Sequence, residues 1–374
     1  MTSTERHEAR YQRRKAKREE KRRAFAAKYD DFERLTSVSA LIKAHWDARK
    51  GVLWKASAAR YDAHYFRNAR WASQALREGR DIKQGFYSFQ IMERGKARSI
   101  HSLHYAERVI RRSVCTNATV PLLSHNLIYD NGASLKGKGI SFHISRCETH
   151  LRRYFSENGN EGYILVIDFR KFFDNIEHAP LFANYDRYVK DERLNALCKS
   201  FVKATGDKGL YIGPEDSQIA AVSYPNAIDH LIKDKWRCKF YGRYMDDSYI
   251  IMRDKEKLKE IRAALFEEFA KFGIIPNPKK TQIVKLSRGF TFLKTQFILT
   301  ATGKIVKKPC RDSVIRERRK LKAFKRFYGA GQMSLTDIQQ SYASWRGSMF
   351  GRDAYRTLRR TDRLYFDLFA VKPR

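Results

Sequence analysis

The sequence predicts a mixed α/β chain (α+β) in which helices flank an antiparallel sheet, and three observations carry that expectation. Tyr163 to Phe169 is a continuous apolar run with an acid near its end, the pattern of a buried strand delivering one carboxylate at its tip. Lys239 to Tyr244 and Ser248 to Met252 read as two further strands joined by a tight turn that holds Asp246 and Asp247. Between Leu35 and Leu76, residues such as Leu41, Ile42, Trp46, Leu53, Trp54, Tyr61, Tyr65 and Trp71 recur at the three-to-four spacing of helices.

The remaining elements follow in order. Residues 6–28 carry eleven Lys or Arg against three Glu and few apolar positions, so they read as a solvated helix or a disordered arm able to lie on phosphates. Phe86 to Ile91 and Arg98 to Ile100 read as short strands around the turn Glu93-Arg-Gly-Lys96. A helix is expected from about Ser102 to Asn117, where Val109, Ile110 and Val114 form an apolar stripe between arginines. No internal repeat interrupts these elements, and eight prolines in all argue against long linkers.

At ~150 residues per domain, 374 residues suggest two or three structural units with sizeable cores. Lys plus Arg number 76 and Asp plus Glu 41, a net +35, which favours a polyanionic partner. Aromatic residues, 13% of the chain and interleaved with that charge, favour base stacking and packing over a solvated coat, so nucleic acid leads. Cys115, Cys147, Cys198, Cys238 and Cys310 lie far apart with no Cys-x-x-Cys pair, which writes neither a zinc site nor a disulfide framework. The N-terminus is charged from Arg6 onward, and no stretch approaches the ~18 apolar residues of a spanning helix, so a soluble, cytoplasmic protein without membrane attachment is expected.

The chemistry centres on acids. Adjacent carboxylates at a hairpin tip repel each other, and with Asp168 from another strand they make sense if cations sit among them. Mg²⁺ prefers carboxylate oxygens and keeps positions open for phosphate. Taken alone, a Tyr-x-Asp-Asp turn is ordinary hairpin chemistry, since Asp is a favoured turn residue.

It is not alone. The run Ile167-Asp-Phe-Arg-Lys-Phe-Phe-Asp-Asn-Ile176, then Ile212-Gly-Pro-Glu-Asp-Ser-Gln218, then Gly242-Arg-Tyr-Met-Asp-Asp-Ser-Tyr249 resembles motifs A, B and C of reverse transcriptases, in order. Gly95-Lys-Ala-Arg-Ser-Ile100 resembles the fingers motif, Asn277-Pro-Lys-Lys-Thr281 motif D, Phe290-Thr-Phe-Leu-Lys294 the primer-grip hairpin, and Ser341-Tyr-Ala-Ser-Trp-Arg-Gly347 the thumb helix of bacterial enzymes. The resemblance covers about residues 85–360. It implies a right-hand polymerase with fingers, palm and helical thumb. The division it suggests is a basic arm at 1–34, a helical N-terminal extension at 35–84, fingers and palm at 85–305, and thumb with C-terminal tail at 306–374.

Roles carry over residue by residue. Asp168, Asp246 and Asp247, with the backbone carbonyl of Phe169, match the ligands of two Mg²⁺ ions, for which Mn²⁺ can substitute. Phe173, five residues after Asp168, matches the aromatic steric gate that collides with a 2′-hydroxyl, whereas Phe172 is better explained as core. Lys96 and Arg98 match finger cations that neutralise the incoming triphosphate, with surface charge as the lesser alternative for either. Lys280 matches the motif D lysine proposed to protonate the leaving pyrophosphate, with Lys279 beside it as a rival. Gly213, Ser217 and Gln218 fall on the motif B loop, where glycine lets backbone approach template and nucleotide.

Departures refine the resemblance. Ile212 and Gln218 stand where the common motif B has Gln and Pro, a form similar to the reverse transcriptases of diversity-generating retroelements. Those enzymes copy a template RNA with frequent errors at adenine and work with a small accessory protein. An apolar Ile in place of a hydrogen-bonding Gln makes loss of base-pair checking physically reasonable. Related loops also occur among retron-like and antiphage-defence enzymes, which use a noncoding RNA or make untemplated DNA. Lys294 replaces the glycine usual at the primer grip.

The expected partners are therefore template RNA, primer, DNA product and dNTPs. The short stretch beyond the thumb leaves no expected room for a nuclease, an RNase H domain or a maturase splicing domain. A viral RNA-dependent RNA polymerase fits less well, having Gly-Asp-Asp in motif C and a Thr and Asn in motif B. A non-catalytic RNA-binding scaffold is opposed by the intact acids, which are costly to cluster without a cation. Arg311, Arg316, Arg318, Arg319, Lys320, Lys322, Lys325 and Arg326 would track template and primer phosphates, or form an exposed helix face.

Overall fold

A computed structural model of the chain describes residues 2–93 and 96–373, and at Glu93 and Lys96 the backbone alone. Helices α1 (Ser3–Tyr29), α2 (Phe32–Thr36), α3 (Val38–Ala48), α4 (Ala56–Ala63) and α5 (Tyr65–Arg77) precede the strands β1 (Phe86–Glu93) and β2 (Lys96–Leu103). Next come α6 (Tyr105–Val114), α7 (Val120–Ser124), α8 (Ile140–Asn158), β3 (Tyr163–Asp168), α9 (His178–Tyr188), α10 (Glu192–Lys203), α11 (Glu215–Ser223) and α12 (Asn226–His230). β4 (Phe240–Tyr244), β5 (Asp247–Met252), α13 (Lys255–Lys271), β6 (Gln282–Lys285), β7 (Phe290–Phe292), β8 (Thr295–Leu299) and β9 (Ile305–Pro309) follow, and α14 (Arg311–Gly329), α15 (Leu335–Gly347) and α16 (Tyr355–Phe369) end the order.

The chain forms two compact units. The first holds residues up to Tyr129, Arg170–Leu231 and Glu267–Ile275; the second holds Asp130–Phe169, Ile232–Phe266 and the residues from Pro276 onward.

In the first unit the basic arm is helical. Its residues are mostly strong helix formers, and Thr2 caps it reciprocally with Glu5, yet α1 buries none of them. The helices after it share a small core of Ala44, Ala48, Ala58, Tyr61, Tyr105 and Val109. His45, fully buried, is bonded through Nε2 to Asp62 (2.8 Å) and through Nδ1 to the Tyr105 hydroxyl (3.1 Å).

β1 and β2 pair antiparallel, with Phe86 opposite Leu103 and Glu93 opposite Lys96; residues 94–95, where the sequence predicts a turn, lie outside the described residues. Ser102 and Leu103 therefore belong to this ladder, so the helix expected from Ser102 begins at Tyr105, and it continues past Val114 as a π-turn over Cys115–Thr119. Arg111, 2% exposed, donates to Glu107 Oε1 from Nε and Nη2 (2.9 and 2.7 Å) and to Asp216 Oδ2 from Nη1 (2.8 Å). Burial, only partly opposed by the Arg111 charge, raises the Asp216 carboxyl above its usual range.

In the second unit an antiparallel sheet has the order β4-β5-β3-β6. Tyr154 and Leu151 of α8, Ile164, Phe240, Tyr249 and Ile251 of the sheet, and Phe292 and Phe297 of a second sheet (β7-β8-β9) make one core. The β7-β8 turn places Leu293 and Lys294 at φ 46° and 60°, both in the left-handed region, where glycine is usual. Helices α14, α15 and α16 share their own core around Leu321, Ile338, Tyr342 and Tyr365, the two tyrosine rings stacked at 4.6 Å. Among the described residues no helix is long and apolar enough to cross a membrane.

Removing Arg111 would leave Glu107 and Asp216 buried without their cation. Arg111→Ala should therefore destabilise the chain by about 3–5 kcal/mol, read as a large drop in the denaturant midpoint. A near-neutral effect would show that the triad does not hold the unit together.

A candidate acidic active site

Strand register brings the acids together. β3 and β5 pair antiparallel with Asp168 opposite Asp247, so the two side chains leave the same face at adjoining positions. Tyr244 also pairs with Asp247, which leaves Met245 and Asp246 as a two-residue loop. Met245 takes φ 56°, a left-handed value strained by about 1–3 kcal/mol in a residue other than glycine. Arg243 supports that loop: it is 1% exposed, its Nη1 donates to Met245 O (3.0 Å), and its N–H donates to Asp130 O (3.0 Å). Gly242 is required nearby, because a Cβ there would meet the Tyr249 hydroxyl at 2.9 Å.

The electrostatics are those of crowded like charges. Burial, then the charges of Asp246 and Asp168, push the Asp247 carboxyl up to about 7, with Lys280 opposing. Asp168, 6% exposed, is held by the turn that precedes β6. Asn277 Nδ2 donates to its Oδ1 (2.9 Å), Lys280 Nζ to its Oδ2 (2.6 Å), and the Asn277 N–H to its carbonyl (2.7 Å). Burial lowers the Lys280 ammonium's pKa, but the hydrogen bond and charge of Asp168 outweigh it and hold the group above its usual value. Of the two neighbouring lysines, Lys280 meets the acid, while the Lys279 N–H donates to Asn277 Oδ1 (3.2 Å).

The donor set is all oxygen, which suits Mg²⁺, and the repulsion that lifts Asp247 is what a divalent cation would relieve. Among the described residues no three His, Cys, Asp or Glu side chains are gathered as a finished metal cage. Asp168 has both oxygens engaged by Asn277 and Lys280, and Lys280, 61% exposed, is the partner with room to swing away.

The other expected site residues belong to the first unit. Arg98 on β2 lines a cleft of about 650 Å³ with Lys171, Lys208, His101, Tyr211 and Ile212; Lys96 is on the same strand, its side chain outside the described residues. Phe173 is half-buried in a 3₁₀ turn, edge-on to the buried Phe172 at 6.0 Å, so the two rings divide as gate candidate and core.

Motif B differs from the expectation of a loop. Ser217 and Gln218 lie in the first turn of α11, because Pro214 starts the helix and Glu215 and Asp216 favour its N-terminal end. Gly213 is demanded by the protein's own backbone: at φ 138° a Cβ there would sit 2.5 Å from His101 O, beside the His101 N–H bond to Ile212 O (3.0 Å). Arg243, Asn277, Lys171 and Lys208 were not singled out as site residues by the sequence, although Lys171, Arg243 and Asn277 lie within the runs that resemble motifs A, C and D.

Because its carboxyl pKa rises from 3.8 to about 7 on folding, Asp247 costs stability increasingly as pH climbs between those values. Asp247→Asn should raise the Tm of the chelator-treated protein by a few degrees near pH ~8, and by less near pH ~5. A gain independent of pH would place the carboxyl in an ordinary solvated setting.

Comparison with known proteins agrees with this geometry. A family described as reverse transcriptase (RNA-dependent DNA polymerase) matches residues 81–297, more than half of the chain. The chain is similar in fold to telomerase from Candida albicans, solved in complex with a TWJ fragment of telomeric RNA, with TM-score 0.50 and 12% identity over 82% of this chain and 66% of that one. Telomerase from Candida tropicalis without ligand gives 0.49 and 14%, covering 77% and 63%; a form truncated from its C-terminal domain gives 0.47 and 15%, covering 60% and 55%. The chain thus spans between about half and two thirds of those proteins, and at such identities the likeness concerns fold alone. Comparison with curated proteins gave no match. The match over 81–297 settles the lineage: this chain belongs to the reverse transcriptase family, with that family's mixed helix and antiparallel-sheet architecture.

Proposed function

We propose that the chain is an RNA-directed DNA polymerase that synthesises cDNA on an RNA template, with fingers and palm within 85–305 and the thumb from 306. The observation that carries this is the register of β3 against β5, which sets Asp168 opposite Asp247 with Asp246 in the adjoining turn. Two Mg²⁺ ions held by Asp168, Asp246, Asp247 and the Phe169 carbonyl would supply activation of a primer 3′-hydroxyl and stabilisation of the departing pyrophosphate.

The chain's own residues do the rest. Asn277 fixes the Asp168 carboxylate, and Lys280, kept charged by that contact, is the proton donor available to the leaving pyrophosphate. Arg98, Lys171 and Lys208, with Lys96 on the same strand as Arg98, give the first unit a basic cleft suited to a triphosphate. Gly213, Ser217 and Gln218 would shape the approach of template and nucleotide, and the half-buried Phe173 would reject a 2′-hydroxyl.

We assign the enzyme to the error-prone, diversity-generating kind, with a small accessory protein as partner, on the Ile212-Gly213 … Ser217-Gln218 form of motif B. The Ile212 side chain has no group to hydrogen-bond a nucleotide, and its main-chain carbonyl already accepts from the His101 N–H (3.0 Å).

Asp246→Ala should abolish synthesis from dNTPs and Mg²⁺ while leaving RNA binding intact; retained synthesis would refute the metal assignment. Phe173→Ala should raise ribonucleotide incorporation by roughly tenfold or more, and unchanged sugar selection would return the ring to the core. Sequencing DNA made by the protein on co-purified RNA tests the subtype. Adenine-site errors support it, whereas repetitive or untemplated DNA favours a defence role and no DNA at all a scaffold.

A further inference from the structure

The helices that precede the fingers hairpin carry a second site-like feature. A cleft of about 390 Å³, within the range of small-molecule sites, lies among α4, α5, β1 and α6 of the first unit, at residues 57–110. Its walls include Arg60, Tyr61, Arg67, Trp71, Tyr87 and His104.

Three properties distinguish it from an incidental groove. First, the cleft has a packed floor: Tyr61 is 7% exposed and its ring meets Tyr105 edge-on at 5.3 Å. Second, Arg60 and Arg67 are exposed and form no ion pair among the described residues; the one acid of the lining, Glu107, is already taken by Arg111 and by the Gln84 N–H. Third, Trp71 and Tyr87 are 48% and 59% exposed, large apolar rings left on the surface of a strongly basic chain. The adjoining wall is rigid, because Tyr105 is pinned through His45 to Asp62.

Flat aromatic faces beside unpaired guanidinium groups are the chemistry that takes unstacked bases and their phosphates. An acidic peptide would meet the arginines but give the two exposed rings no matching flat partner. We propose that this cleft is a binding site for single-stranded RNA: one or two nucleotides stack on Trp71 and Tyr87, and Arg60 and Arg67 hold their phosphates. The proposal rests on reading RNA as this chain's partner and adds a contact point outside the acidic site.

The test uses the full chain and a fluorescein-labelled single-stranded RNA of about twelve nucleotides containing 4-thiouridine, photo-crosslinked and mapped by mass spectrometry. The expected result is crosslinks within 57–110, a fivefold or greater rise in Kd for Trp71→Ala, and a smaller rise for Tyr87→Ala. The double variant Arg60→Ala, Arg67→Ala should flatten the plot of log Kd against log salt by about 0.7 per lost phosphate contact, a change that a merely structural role would not produce. Crosslinks confined to other segments, or wild-type affinity and salt slope in all these variants, would overturn the proposal. Extension of a pre-annealed primer–template by the same preparations separates the two readings. Synthesis without crosslinks at the cleft defeats this inference alone, while crosslinks without synthesis defeat the polymerase and leave the site standing.

Discussion

Everything distinctive about the second unit follows from forcing carboxylates together at one end of an antiparallel pair. Asp168 and Asp247 are fixed opposite each other by backbone hydrogen bonds, not by any attraction between them. A one-residue slip of β3 against β5 would turn one acid to the other face, so the apolar alternation that seats Ile164 and Ile251 in the core also holds the charges in place. Core packing thus sustains an arrangement that electrostatics alone would push apart.

The sheet supplies the counterweights too. β6 pairs with β3 from Tyr163 to Val166, and the turn that feeds it brings Asn277 and Lys280 onto Asp168. Arg243, buried one residue before the end of β4, holds the strained loop from behind. The Arg111 triad of the first unit makes an instructive contrast. There one buried arginine answers two acids, and every group is locked by the fold. At the β4-β5 turn the charges of Asp246 and Asp168 act on Asp247 together with its burial, and Lys280, largely exposed, opposes them.

What the sequence disclosed and what it concealed divide along chain separation. The apolar run to Asp168, the Asp246-Asp247 turn and the helical spacing of 35–76 are local patterns, and each became the element its period implied. The start of α6 was misjudged because Ser102 and Leu103 gain a strand partner 15 to 17 residues upstream, at Tyr87 and Phe86, which overrides local propensity. In motif B, where the resemblance implies a loop, Pro214, Glu215 and Asp216 together form a helix start. The roles of Arg243, Asn277 and Gly213 were invisible for a different reason. Each is defined by a contact with backbone or carboxylate that no spacing rule announces, such as the His101 carbonyl lying where a Cβ of residue 213 would go. Lys280 could be picked over Lys279 only once the turn's direction was known.

α1 stands apart from this economy. A 27-residue helix that buries no side chain has its stability set by its own hydrogen bonds, its cap and the ions around it. Apart from Phe25, stacked on His125 at 3.9 Å near the helix's C-terminal end, its ordering is only weakly coupled to either core, so its N-terminal turns can melt and re-form while both stay intact. Crowded lysines and arginines repel one another along its length, and any polyanion laid beside them removes that repulsion. The helix content of this segment is in effect a gauge of the electrostatic surroundings: frayed in dilute salt, and wound tight against a phosphate backbone.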